Sequence, residues 1–154
     1  MPVVDDLLFA ETDGGCANCG LKDNRVLAVH HLEQSKPKNE DYDNKLILCH
    51  NCHQCHHQGK EPTAAQLNDI KRRLLIKTLT RPGLNALKQA YRRKNVIAMP
   101  FLVNHLVEMT YLEYKDYHST WSDDGGSPQD VIDITAVYTI TPAGQTLLEK
   151  WDLK

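Results

Sequence analysis

Metal-ligand residue types crowd into one short stretch: all five cysteines and six of the eight histidines fall between Cys16 and His57. Four of the cysteines form two C-x-x-C pairs, Cys16 with Cys19 and Cys49 with Cys52. A C-x-x-C turn lets two thiolates converge on one ion, and structural zinc takes four such ligands tetrahedrally, so the two pairs make one complete shell for Zn2+. Gly14, Gly15 and Gly20 flank the first pair and relax the backbone limits on a tight ligand turn. A redox role for either pair calls for a thioredoxin-like unit around it, and none is visible. Cys55 is left over.

The histidines suggest a second, different centre. His53 and His57 are four residues apart, which on a helix puts both on one face with Cβ atoms about 5–6 Å apart, suited to sharing an ion. His30, on a strand expected beside that helix, supplies a third ligand and leaves positions open for water and a phosphate oxygen. His31 has a distinct job, because an imidazole can take a proton from an attacking water near neutral pH. Consecutive residues on a regular strand face opposite ways. His30 and His31 therefore need a strand end, a bulge, or a substrate lying across both. His50 and His56 fall off the spacing and are expected to be exposed polar residues.

Positioning these groups requires a strand over residues 25–32, a polar loop over 33–44 containing Pro37, a strand over 45–48, and a helix from Asn51, as its cap, to about Gln58. Such a unit is too small to bury a core of its own, which makes the four-cysteine clasp its staple. Metal in comparable sites contributes roughly 10–16 kcal/mol of apparent folding free energy. The composition shifts near Gly59, so the expected division is residues 1–60 and 61–154. In the second part, helices are expected over 63–79, 82–93 and 100–109, strands over 111–121 and 131–140, a turn at Asp123 to Pro128, and a last helix opened by Thr141 and Pro142. The fold class is α+β.

Apolar residues at 41 % and charged residues at 25 % describe an ordinary globular chain. No run approaches the roughly 18 apolar residues of a membrane span, and the first ten residues lack the order of a secretion signal, so the expected location is cytoplasmic with no membrane partner. The net charge of −2 conceals a basic stripe: Lys60, Lys71, Arg72, Arg73, Lys77, Arg81, Lys88, Arg92, Arg93 and Lys94 face only Glu61 and Asp69 over the same span. Phosphate attraction is local, so such a stripe can hold a nucleic-acid backbone whatever the total charge.

The runs C-A-N-C-G at Cys16, V-H-H-L at Val29 and D-N-K-L-I-L-C-H-N-C-H-Q-C-H-H at Asp43 together resemble the zinc-stapled HNH endonucleases, over residues 16–59. The resemblance implies a small ββα-metal nuclease domain. It makes His31 the general base, His30, His53 and His57 the ligands of a catalytic divalent ion (Mg2+, Mn2+, Ni2+ or Zn2+), and Asn44 the residue that pins the loop and helps orient the base. Many relatives carry Asp where this chain has His30. The order of elements after residue 61, with the phrase Y-T-I-T-P-A-G-Q-T-L-L from Tyr138, is similar to winged-helix DNA-binding modules. The expected function is phosphodiester hydrolysis in double-stranded DNA, with RNA or modified bases as other substrates. Its rival is a non-catalytic zinc-containing DNA-binding regulator. The second half would hold DNA or, through its strands, form a homodimer.

Overall fold

In the computed structural model, which describes residues 4–121 and 132–154, the strand, loop, strand, helix order expected around the ligand residues is present. It belongs to a unit that runs to Thr78 and comprises α1 (Val4–Glu11), β1 (Leu27–His31), β2 (Lys45–Cys49), α2 (His50–His57) and α3 (Ala64–Leu79, all but its last residue). Strands β1 and β2 pair antiparallel, from Leu27 opposite Cys49 to His31 opposite Lys45. Every residue of β2 is buried, as its continuous Leu46-Ile47-Leu48 run dictates for a strand covered on both faces.

Leu67 of α3 packs into the same cluster as Cys16, Leu46, Leu48 and Cys49, with Ile70 and Leu74 at its edge. The unit therefore extends past Lys60 to Thr78, because the ββα segment borrows α3 to complete its core. The composition shift near Gly59 marks only the connection between two helices, where Gly59 takes φ +73° after α2 ends. Helix α2 starts one residue before the expected cap, with Cys49 rather than Asn51 at its N-cap position. Thr63 and Gln66 form a reciprocal capping box at the start of α3, Gln66 Oε1 lying 2.7 Å from the Thr63 amide.

Lys71 leaves the basic stripe. Its side chain is fully buried, with Nζ 2.9 and 3.1 Å from the two carboxylate oxygens of Glu11 and 3.8 Å from the centre of the Tyr42 ring. The Tyr42 hydroxyl donates to Glu11 and lies 3.1 Å from Thr78 Oγ1. Burial pushes the Glu11 carboxyl up and the Lys71 ammonium down, and their mutual attraction opposes both shifts. This network ties α1 and α3 to the short 3-10 turn Tyr42–Asn44 that leads into β2.

The second unit, from Leu79 on, contains α4 (Arg81–Arg93), β3 (Asn95–Ala98), α5 (Pro100–Glu108), β4 (Leu112–Trp121), β5 (Ile132–Ile140) and α6 (Pro142–Lys150). Its antiparallel sheet has the order β3-β5-β4. Strand β3 was not expected, since four residues between two helices carry no readable period; pairing with β5 makes it a strand, Val96 lying opposite Tyr138. Thr141 caps α6 by accepting from the Gly144 amide at 3.1 Å. Gly144 must stay small, because a Cβ there would lie 2.4 Å from the Tyr111 carbonyl oxygen. The turn expected at Asp123 to Pro128 lies outside the described residues.

Replacing Lys71 by Ala would leave Glu11 buried without its cation. Urea unfolding should then show a loss of about 3–5 kcal/mol, most of it recovered in the Glu11→Gln/Lys71→Met double variant. A loss below about 1 kcal/mol for Lys71→Ala would contradict the assigned network.

Candidate metal centres

The first centre is built from two turns. Cys16 and Cys19 sit in a knuckle whose Gly20 takes φ +75° and donates to the Cys16 carbonyl at 2.8 Å, while the Ala17 amide donates 2.8 Å to Ile47 of β2. Cys49 and Cys52 come from the junction of β2 and α2. Sulfur atoms of all four lie within 4.8 Å of one another, and Cys19 Sγ is 3.7 Å from Cys49 Sγ. Two thiolates at about 2.3 Å from a tetrahedral zinc stand about 3.8 Å apart, so the spacing suits that ion. This cluster could hold a structural metal such as zinc.

The electrostatics of the clasp favour a cation. Burial works against ionising Cys16, but amide donors from Cys19, Cys49 and Asn18 bring its thiol down to about 7. Burial, together with the neighbouring sulfurs of Cys49 and Cys19, pushes Cys52 up to about 12 despite a 3.3 Å hydrogen bond from Asn18 Nδ2. Four crowded thiols cannot all ionise unaided; a dication placed among them removes the conflict.

The second centre joins β1 to α2. His53 and His57, one turn apart, bring their Nε2 atoms to 3.3 Å, and the His30 ring centre lies 5.1 Å from that of His53 and 5.7 Å from that of His57. One ring nitrogen from each of the three lies within 4.8 Å of the others. Two nitrogens bound at 2.0–2.1 Å to a tetrahedral ion are about 3.3–3.4 Å apart, which matches the pair on α2. His30 is only 2 % exposed, and its Nδ1 has no hydrogen-bond partner. A buried nitrogen left unpaired costs about 1–3 kcal/mol, so the donor set fits a bound cation. Burial first, then the nearby His53, His56, His57 and His31 rings, push His30 down to about 4, which keeps it neutral and able to ligate.

His31 does not join that cluster. As the last residue of β1 it has Nε2 3.1 Å from Glu40 Oε1, and it stands at the strand end, where neighbouring histidines can both be used. Asn44 is fully buried and holds the loop: its Oδ1 accepts from the Glu33 amide at 2.9 Å, and its Nδ2 donates to the Glu33 and Asn39 carbonyls at 3.3 and 2.9 Å.

Two residues were not legible as site components. His56 is half-buried rather than exposed, donating from Nδ1 to the Pro62 carbonyl at 2.8 Å and packing edge-on against His30 at 4.9 Å; the i to i+4 spacing does not single it out, because it lies next to His57 rather than a turn away. Glu40 sits in a polar loop with no periodic signal. His50 is exposed, and Cys55 is half-buried outside both clusters.

Comparison of the chain with protein-family models, with curated proteins and with solved structures returned no match.

Stripping metal with a chelator, or replacing Cys49 by Ser, should abolish cooperative unfolding of the first unit in circular dichroism melts, given the size of the metal contribution. Unchanged melting in both would contradict a structural ion. With one zinc per chain, stability should fall as pH drops from about 6.5 towards 4. The unfolded imidazole takes up a proton near 6.5, whereas His30 in the fold waits until about 4, so the unfolded state binds more protons in that window. The native chain should lose up to about 1.4 kcal/mol per pH unit more than His30→Gln does; equal slopes would contradict the assignment.

Proposed function

We propose that the chain is a metal-dependent endonuclease that hydrolyses phosphodiester bonds in double-stranded DNA, on a ββα-metal unit similar to that of the HNH endonucleases. The observation that carries this reading is the convergence of His30, His53 and His57 from two elements, with a buried unpartnered nitrogen among them, next to a further histidine at the strand end. A divalent ion (Mg2+, Mn2+, Ni2+ or Zn2+) held by these three imidazoles would supply positive charge to the scissile phosphate and the leaving oxygen.

His31 takes the proton of the attacking water in this reading. Asn44 closes the ends of the loop beside it, and β1 carries ligand and base as neighbours. The clasp of Cys16, Cys19, Cys49 and Cys52 holds α2 where its histidines can meet His30. Exposed basic residues attract the substrate backbone: Arg72 and Arg73 in the first unit, and Arg81, Arg92, Arg93 and Lys94 in the second. The second unit, taken as a winged-helix-like module, would position DNA more than read it. Val103 and Leu106 of α5 are buried, and His105 is engaged with the Leu79 carbonyl at 3.0 Å, which leaves few groups for base edges. No helix among the described residues is long and apolar enough to cross a membrane, and the reading places the enzyme with its substrate in the cytoplasm.

A non-catalytic zinc-containing regulator would share the clasp and the basic residues but has no use for His31. In a plasmid-nicking assay with Mg2+, Mn2+, Ni2+ or Zn2+, the native chain should relax supercoiled DNA, and His31→Ala should slow it by about 10²–10⁴-fold while DNA binding is retained. Lack of metal-dependent cleavage of DNA or RNA by the native chain would overturn the enzyme reading.

A further inference from the structure

The Glu40 side chain is exposed, yet the backbone on either side of it is clamped. The Asn39 carbonyl before it accepts from the buried Asn44 Nδ2 at 2.9 Å, and the Asp41 amide after it donates to Asn39 Oδ1 at 2.9 Å. The Asn44 amide closes the turn by donating to the Asp41 carbonyl at 3.0 Å. From this held position the carboxylate spans the end of the hairpin. One oxygen lies 3.1 Å from His31 Nε2 and the other 2.5 Å from Lys45 Nζ, and His31 and Lys45 are themselves cross-strand partners in the β1–β2 ladder. Lys45 is almost wholly buried, so its ammonium gives the second carboxylate oxygen a fixed anchor.

We propose that Glu40 is a positioning residue for His31: its carboxylate accepts a hydrogen bond from His31 Nε2–H, which fixes the ring orientation and leaves the lone pair on Nδ1 to face substrate water. This rests on the nuclease reading for its catalytic consequence, though the tautomer itself does not. A carboxylate held by Lys45 offers no proton, so the shared hydrogen belongs to the imidazole, and the opposite ring nitrogen is then the one that can accept. Orienting a base in this way acts on the reacting geometry and not on substrate affinity, so its removal lowers turnover more than binding. Asn44 acts one step further out, by holding the loop that delivers Glu40.

The test has two independent readouts on the full-length chain. Long-range proton–nitrogen correlation spectra at pH 8 should show His31 as the Nε2–H tautomer in the native chain and as a mixture in Glu40→Ala. A native ring protonated on Nδ1, or a spectrum unchanged by the substitution, would overturn the proposal. In metal-supported nicking, Glu40→Ala should lower kcat at least tenfold with KM changed less than twofold, and Glu40→Asp should recover part of the loss. Equal or faster cleavage by Glu40→Ala would show instead that the carboxylate is idle or repels the phosphate, and would overturn the proposal. Should Glu40→Ala fold poorly, Glu40→Met serves both readouts, since its side chain keeps the size and offers the imidazole no oxygen acceptor. If the native chain does not cleave at all, the nuclease reading falls while the spectrum still decides the link between Glu40 and His31.

Discussion

The sulfur clasp is the constraint on which the rest of the first unit depends. Cys16 and Cys19 lie on an irregular knuckle, whereas Cys49 and Cys52 mark the point where β2 becomes α2. An ion joining all four would fix the direction in which α2 leaves the hairpin. That direction decides whether His53 and His57 face His30 or solvent. The apolar cluster around Leu46, Leu48 and Leu67 is small, and part of its surface is the cysteines themselves, so packing alone gives α2 little to lean on.

Around that clasp the unit is held by polar groups that have been taken out of water and satisfied. Lys71 and Glu11 are buried together, with the Tyr42 ring over the ammonium and its hydroxyl on the carboxylate. Such a pair adds little net stability compared with apolar residues of similar size, but its hydrogen bonds join α1, α3 and the Tyr42–Asn44 turn. That turn begins the strand carrying Lys45, and Asn44 within it ties both ends of the loop bearing Glu40. Geometry passes from a buried ion pair, through a turn, to a loop carboxylate and then to His31.

What was legible in the sequence was local. Two C-x-x-C spacings and an i to i+4 histidine pair state their geometry within a few residues, and the four cysteines and His30, His53 and His57 are indeed gathered into two clusters. The α+β mixture of short strands and helices followed from periodicity in the same way. What stayed hidden was tertiary. Lys71 sits in a run of basic residues and looks like its neighbours, because nothing nearby in sequence announces Glu11, sixty positions earlier. Strand β3 exists by virtue of Tyr138 and Val137 beside it, and α3 belongs with the hairpin because Leu67 fits against Cys16 and Leu46. His56 is drawn inward by the Pro62 carbonyl, a partner set by how the chain leaves α2.

The ligand residues fall into two groups of different chemistry, one of sulfur and one of nitrogen. X-ray absorption at the zinc K edge, on chain loaded with two equivalents, measures the ligand shells directly. It should resolve sulfur at about 2.3 Å and nitrogen or oxygen at about 2.0–2.1 Å, with only the sulfur shell surviving in a His53→Ala/His57→Ala variant loaded with one equivalent. A native chain that takes up a single ion in an all-sulfur shell, with no nitrogen contribution at any loading, would contradict the convergence of the three imidazoles on a cation.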